Sequence, residues 1–517
     1  MSEADAPVRR AELVALLSLG TDLGLGQPME HMIRACLIAL RMAETAGLND
    51  ADRAVVYYSG LLAWVGCHTD AYEQAKWLGD DLAVKRDAHY GYDFGKPGPA
   101  AAFLAKHIGG AGQPLLQRAR VGAQFIGDGR RALAALAENH YLATDELAAG
   151  LGLGEPVRAS LKQSYERWDG KGAYGLRGEE IALSSRLINL ADVVEVFRRT
   201  GGLDAALSVA RERSGTQFDP DLVETFCHQA PLIFDDLDPA ASWDLVIDSE
   251  PSLASVVEGA ELDDALAAIG EFTELKSPWL MGHARGVAEL ASEAGRSEGL
   301  PHADVTLLRR AAFVHDIGRL GVSNAIWDKP SELTQSELER VRLHPYLTER
   351  MLSFSPALAQ LGALAGQHHE RLDGSGYPRG LSGDAIGTAG RILASADSYN
   401  TLTQARPHRP RGTEADAAAA LRAEVKLGRL DGTAVDAVLR AAGHRVRRKR
   451  EWPAGLTARE VEIVRLLVRG ATAKAIAEEL VISPKTASSH IEHIYRKTGV
   501  SNRAQLGLFA MKHALMS

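Results

Sequence analysis

The chain has 517 residues, 46% of them hydrophobic and 24% charged, and a formal net charge of −9. That length suits three domains with real cores. Its cysteines, Cys36, Cys67 and Cys227, show no paired metal-site spacing, which excludes a disulfide scaffold and leaves free thiols of a reducing compartment as the expectation. The opening MSEADAPVRRAEL lacks an apolar signal region, and no stretch approaches the roughly 18 to 20 apolar residues that cross a bilayer. A soluble, cytoplasmic protein with no membrane partner is expected. Helical periodicity, as in GRILASADSYNTLTQ, dominates over alternating patterns. It predicts an all-α fold: two helical domains in tandem, then a small C-terminal bundle.

Residues 1–235 read as the first domain, and their meaning comes from a repeat. SYERWDGKGAYGLRGEEIALSSRLINLAD, residues 164–192, aligns with HHERLDGSGYPRGLSGDAIGTAGRILASAD, residues 368–397, with one residue deleted. Self-similarity of this length marks a duplication. The register runs backwards: His140 precedes Ser164 by 24 residues, as His344 precedes His368, and Ala63 follows His31 by 32, as His315 follows His283. Ala63-Trp64 therefore replaces His315-Asp316, Ser164-Tyr165 replaces His368-His369, and Gly172-Ala173-Tyr174 replaces Gly376-Tyr377-Pro378. Only His31, His140 and Asp192 remain, too few for a pair of metals. This copy is expected to pack against its twin, to act as a sensor or to serve in dimerisation, without hydrolysing anything. Between His31 and His140 it also holds about 48 residues more than its twin, interrupted by Gly95, Pro97 and Gly98, which suggests a lid or a dimer contact.

Residues 236–262 lie in the acidic run IFDDLDPAASWDLVIDSEPSLASVVEGAEL and read as a solvated linker. Residues 263–443 then hold the complete set: His283, His315-Asp316 in AAFVHDIGRLG, His344 in RLHPYL, His368-His369 in QHHERLDGSGYPRGLSG, and Asp397 in RILASADSYN. Imidazole and carboxylate together suit a borderline divalent ion such as iron, manganese or zinc. Seven such groups are too many for one tetrahedral site and right for two metals sharing a carboxylate. Adjacent ligands stand about 100° apart on a helix, so both reach one cleft. A metal pair would lower the pKa of a bound water and neutralise phosphoryl charge, with no nucleophilic side chain needed.

HDIG, the downstream HHE and DGSGYPRGL together resemble the HD-GYP family, metal-dependent phosphodiesterases that cleave cyclic dinucleotides, cyclic di-GMP above all. The resemblance spans roughly residues 270–440. It implies one metal on His283, His315, Asp316 and Asp397 and a second on His344, His368 and His369, with Asp316 bridging. Two divalent ions per chain are expected, iron or manganese favoured. It also implies catalytic roles for Asp316 and Arg319, and substrate contact by Arg319, Gly376, Tyr377 and Pro378. Three departures bear on this. Arg319 stands where the family commonly has lysine, a planar fork for a point charge. Trp279 replaces a glutamate that recruits a third metal in some members, and Asn400 replaces the second acid of DxYDA. Ligation should survive, with turnover altered.

Residues 444–454 form a basic linker, and residues 455–517 a third domain. From residue 445 onward the chain sums to +8, so residues 1–444 carry −17. The body would repel a phosphate backbone that the tail attracts. Thr457 and Glu460 make a capping box for a helix that should end at Gly470. Thr472 caps a second helix, and Ser483 with Pro484 caps and opens a third. LTAREVE, IAEEL and ISPKTASSHIEHIYRKTGVSNRAQL resemble the LuxR-type helix-turn-helix. The resemblance makes residues 483–498 the recognition helix in the major groove. It places Lys485, Ser488 and Ser489 at base edges, with Lys474, Thr486, His490, Arg496, Lys497 and Arg503 nearer phosphates. Ala473, Ala475 and Ala487 replace the family's usual asparagine, glutamate and valine. Because such modules generally act as dimers, a homodimer is expected. The combined expectation is a DNA-binding transcriptional regulator whose second domain binds and hydrolyses a cyclic dinucleotide, with cyclic di-GMP as the expected substrate. The alternative is a non-enzymatic, ligand-gated transcription factor that uses that domain as a sensor.

Overall fold

The computed structural model describes residues 7–93, 96–110, 113–125, 136–237, 242–251, 255–445, 452–468, 471–513 and 515. Among them the chain is almost wholly helical, and its one sheet is a two-residue antiparallel pairing of Val8–Arg9 with Val256–Val257. The all-α expectation holds. The chain forms two compact units, Met1–His444 and Arg445–Ser517.

In the first unit the duplication is visible element by element. Helices His31–Thr45 and His283–Ser297 both have 15 residues, and each follows a residue in the left-handed region, Glu30 at φ 74° and Gly282 at φ 79°. The next helices, Asp50–Leu62 and His302–Val314, both have 13 residues. Each copy folds its glycine-rich loop around a glutamate: Glu166 accepts from the N–H of Tyr174 and Leu176, and Glu370 from that of Arg379 and Leu381. Close approach explains the glycines. A Cβ on Gly172 would lie 2.6 Å from Glu166 Cα, and one on Gly376 would lie 2.5 Å from Glu370 Cα.

Helix Arg10–Gly24 is buried on nearly every side, because it lies between the copies. It packs on helices His31–Thr45 and Asp50–Leu62 of one copy, and on the turn Ile317–Gly321 and helix His344–Leu352 of the other. Gly20 faces Leu320 and Met351, and Glu12 accepts from Ser355 Oγ at 2.8 Å.

The stretch expected as a solvated linker is folded where it is described. Helix Ser242–Asp248 buries Trp243, Val246 and Ile247, Val257 is buried in the strand pair, and Glu250 is held by Arg9. The apolar residues between the acids, rather than the acids, decide its fate.

The insertion is likewise built into the unit. Trp77, Leu78, Val84, Phe103 and Phe125 form a small core. Asp81, on helix Asp81–Arg86, is wholly buried, with Oδ2 3.1 Å from Lys85 Nζ and 3.2 Å from Lys276 Nζ. Its Oδ1 accepts from Ser323 Oγ and Asn324 N–H, each at 2.7 Å. A first-copy carboxylate thus compensates a second-copy lysine.

The C-terminal unit packs helices Ala458–Val468, Ala473–Glu479, Pro484–Thr498 and Arg503–Lys512 around Val461, Val464, Ile476, Ile494 and Leu506. Its caps follow from local sequence. Glu460 N–H donates to Thr457 Oγ1 while Thr457 N–H donates to Glu460; Thr472 accepts from Ala475 N–H, and Ser483 from Thr486 N–H. Ala487 is wholly buried, so its small size is felt in the core and not at a DNA face. Gly470 and residues 446–451 of the basic linker lie outside the described residues.

Candidate functional site

The second copy brings all seven expected ligands together. His283 opens its helix, where Glu274 accepts from the N–H groups of Gly282 and Ala284 and fixes the entry. His315 and Asp316 end helix His302–Val314, His344 opens the next long helix, and Asp397 lies within helix Thr388–Leu402. His315, His344 and His368 each donate Nδ1–H to the carbonyl three residues earlier, Ala312, Val341 and Ala365. That leaves every Nε2 lone pair directed into the cleft.

Three overlapping ligand groups result, His283-His315-Asp397, His344-His368-His369 and, joining the two, His315-Asp316-His368. Asp316 stands between them: its Oδ2 lies 3.4 Å from His315 Nε2 and 3.7 Å from His283 Nε2, while its Oδ1 lies 3.4 Å from His344 Nε2 and 3.5 Å from His368 Nε2. His315 Nε2 is buried with no hydrogen-bond partner, and the Nε2 atoms of His344 and His368 face each other at 3.1 Å. Lone pairs directed at one another are repulsive unless a cation sits between them, so the residues present fit a metal centre. Burial holds the His315 imidazole down to about 4 and that of His344 to about 3, which keeps both neutral as ligation requires. Although burial opposes it, the Arg319 guanidinium holds the Asp316 carboxyl well below the usual carboxylate range.

A cavity of about 450 Å³ opens onto this centre, lined by Arg319, His344, His369, Tyr377 and Asp397 among others. Arg319 Nε is 2.7 Å from Asp316 Oδ2, and its guanidinium lies 4.4 Å over the Trp327 ring. Tyr377 packs on His369 with centroids 4.7 Å apart, placed by its N–H bond to the His369 carbonyl. Gly376 supplies the close approach already described, and Tyr377-Pro378 is a cis peptide. Arg371, Arg406 and Arg409 also line the cavity, and no motif in the sequence singles them out. Trp279 is part of this wall too, its carbonyl accepting from Arg406.

Asn400, a departure by motif, has a defined role: its Oδ1 accepts Nδ1–H of His283 at 2.9 Å and so directs Nε2 towards Asp397. Replacing such a supporting partner typically costs about 10- to 100-fold in metal affinity. Asn400→Leu is expected to show a loss of that size in competitive metal titration, with a fold unchanged by circular dichroism.

The first copy has filled the corresponding space with protein. Tyr90, from the insertion, puts its hydroxyl 2.9 Å from His31 Nε2, which also faces Asp192 Oδ1 at 3.0 Å. His31 Nδ1 lies 2.5 Å from Glu195, the residue matching Asn400, and Arg34 holds the other Glu195 oxygen at 2.7 Å. Burial alone would lower the His31 pKa, but Glu195 and Asp192 raise it to about 10. An imidazolium replaces a metal. Because the folded-state pKa exceeds the unfolded one, this group's stabilisation is complete below about pH 6.5 and is lost as pH rises to about 10. The difference in melting temperature between the parent and His31→Gln is therefore expected to shrink between pH 6.5 and 10. His140 Nδ1 meets Tyr165 OH at 2.7 Å, its Nε2 contacts Asp70, and Cys67 stands in the place of Arg319.

On the C-terminal unit, Lys474, Lys485, Thr486, Ser488, Ser489 and Arg496 are exposed, and His490 is half-buried. Lys497 is exposed too, and its ammonium donates to Glu460 at 2.7 Å and to the Gly455 carbonyl at 3.0 Å, which ties the last turn of helix Pro484–Thr498 to the first helix of the unit. The Arg503 side chain lies outside the described residues.

A helical body with two imidazole groups around one aspartate, followed by a separate helix-turn-helix unit, defines a metal-dependent phosphohydrolase type fused to a DNA-binding type. Residues 269–434 match the HD domain family, and residues 454–510 match bacterial regulatory proteins of the luxR family. The chain is 33% identical over 414 residues to 3'3'-cGAMP-specific phosphodiesterase 3 of Vibrio cholerae, covering 79% of this chain and 89% of that protein. It is 37% identical over 150 residues to a cyclic di-GMP phosphodiesterase of Thermotoga maritima, covering 29% of this chain and 41% of that one. A crystal structure of a cyclic GMP-AMP specific phosphodiesterase from V. cholerae aligns with TM-score 0.56 and 26% identity, covering 85% of this chain and 99% of that one. The chain belongs to the HD-GYP phosphodiesterase family and carries a LuxR-type DNA-binding domain. No helix among the described residues is long and apolar enough to cross a membrane.

Proposed function

We propose that the second copy hydrolyses a cyclic dinucleotide, and that the C-terminal unit reads DNA so that ligand or product state regulates transcription from a homodimer. The observation that carries the enzymatic half is Asp316, whose two oxygens face two different histidine groups. Two divalent ions held there, iron or manganese as the resemblance to the HD-GYP family implies, would supply a water of lowered pKa and charge neutralisation at phosphorus. The chain's own residues do the remainder. His283, His315 and Asp397 form one side of the centre and His344, His368 and His369 the other. Arg319, stacked on Trp327, offers its remaining N–H groups to a phosphate oxygen, and Tyr377 forms a flat wall beside it.

The match that runs through both copies is to a 3'3'-cGAMP-specific enzyme, whereas those to cyclic di-GMP enzymes align with about a third of this chain or less. This favours 3'3'-cGAMP over cyclic di-GMP as the better substrate. Protein loaded anaerobically with iron or manganese and given each in turn is expected to yield linear product, and absence of product from both would overturn the reading. A sensor without turnover is the second reading, favoured by the attached DNA reader.

DNA affinity should reside in the tail, given its +8 against −17 for the rest. Removing residues 445–517 is expected to abolish DNA binding and leave metal content unchanged. Full-length affinity should fall by orders of magnitude between low and physiological salt, the mark of phosphate contacts. DNA retention by the truncated chain in a gel-shift titration would refute this division.

A further inference from the structure

The first copy's cleft is not merely a filled metal site. Beside the His31 cluster is a cavity of about 510 Å³, as large as the second copy's 450 Å³ and within the range of small-molecule sites. Its wall is aromatic on one side: the Trp64 ring lies 4.8 Å from His89 and 5.2 Å from Tyr165, and Tyr92 joins them. Two of the residues that line it, Trp64 and Gln74, only 6% and 8% exposed, each carry a buried polar atom without a hydrogen-bond partner, Nε1 and Oε1. A buried donor and a buried acceptor left unpaired cost stability, and natural proteins rarely keep either unless something satisfies it. The cavity also carries a buried cation. Lys85 lines it, bonded to Asp81, and the carboxylate of Asp70 also feels its charge.

We propose that this cleft binds a nucleotide phosphate without metal and without cleaving it. Each feature has a counterpart in such a ligand. A nucleobase is flat enough to lie against Trp64 and Tyr165, and its edge offers both an acceptor for Trp64 Nε1–H and a donor for Gln74 Oε1. Its phosphate would meet the Lys85 ammonium. Hydrolysis is ruled out by the residues themselves, since Ala63-Trp64 stands where the bridging aspartate would be and Tyr90 occupies the free nitrogen of His31.

The site also has a path to the other cleft. Lys85 is bonded to Asp81, which holds Ser323 and Asn324; Asn324 in turn donates to Asp328 at 2.7 Å, and Asp328 lines the second copy's cavity. A ligand that draws on Lys85 therefore acts on groups shared with the candidate active site.

The test uses the full chain in excess EDTA, which strips the second copy of the ions that would hold phosphate. GMP, AMP, a linear diguanylate, cyclic di-GMP and 3'3'-cGAMP are titrated in turn by calorimetry. At least one is expected to bind saturably at one site per chain. Trp64→Phe, which keeps a ring and removes only the N–H, and Gln74→Leu should each weaken it by about tenfold, the scale of one hydrogen bond. His344→Ala in the other cleft should leave it unchanged. Preference for an intact cyclic dinucleotide would make this a substrate-sensing site; preference for linear or mononucleotide probes would make it a product-sensing one. Absence of saturable binding by every probe, or binding that survives both first-copy substitutions, overturns the proposal.

Discussion

Asp316→Ala is expected to reduce cyclic dinucleotide hydrolysis by roughly three orders of magnitude or more, and to lower metal content as well as rate. The reason is its position between the groups. Its Oδ2 serves the side of His283 and His315, and its Oδ1 the side of His344 and His368, so a single substitution removes a ligand from both. A residue that merely oriented substrate would leave metal content at the parental value. Metal analysis together with chromatography of the products separates the two cases, and full turnover by the variant would place the chemistry elsewhere. The same variant decides between the enzyme and the sensor. If ligand still alters DNA binding after hydrolysis is gone, sensing is the primary role.

Asp81→Ala is expected to cost about 3 to 5 kcal/mol, the usual penalty for leaving one half of a buried ion pair uncompensated. Lys276 would be left wholly buried and Lys85 nearly so, and Ser323 Oγ and Asn324 N–H would lose their acceptor. Chemical denaturation of the metal-free protein measures the loss. Asp81→Leu combined with Lys85→Met and Lys276→Met should recover much of it, because apolar replacement of a complete buried ion cluster is often nearly neutral. Although burial opposes it, Lys276 and Lys85 hold the Asp81 carboxyl below its ordinary value. Its stabilisation is therefore present above the ordinary carboxylate range and is lost as pH falls through the folded value. A variant as stable as the parent at neutral pH would show that the two copies do not depend on this charge.

The parts of the site legible in the sequence are those whose chemistry is carried by residue type at fixed spacing. His315-Asp316, His368-His369 and the loop at Gly376 are readable because ligands must be imidazole or carboxylate and because a loop closing on Glu370 tolerates no Cβ. The caps at Thr457, Thr472 and Ser483 are readable because a cap involves only three or four residues. Contacts between distant segments are not. Nothing local marks Tyr90 as the group that meets His31, or Asp81 as the partner of Lys276, since each depends on how the insertion folds back. Asn400 looks like a lost acid, yet an amide oxygen accepts from His283 as an acid would. The acidic stretch before residue 262 reads as linker only when its charges are weighed above Trp243, Val246 and Ile247. The bond from Lys497 to Glu460 is equally hidden, because the partner lies on another helix.

Helix Arg10–Gly24 bears on the order in which the molecule is made. It leaves the ribosome well before one of its partners, since its contact to Ser355 spans 343 residues of chain. At about 5 to 20 residues per second, that interval is on the order of 20 to 70 s. Throughout it, a helix apolar on nearly every side has only half of its eventual surroundings. The nascent chain thus carries an exposed adhesive segment throughout that interval, and its yield in the cell should depend on chaperone capacity more than the stability of the finished fold would suggest.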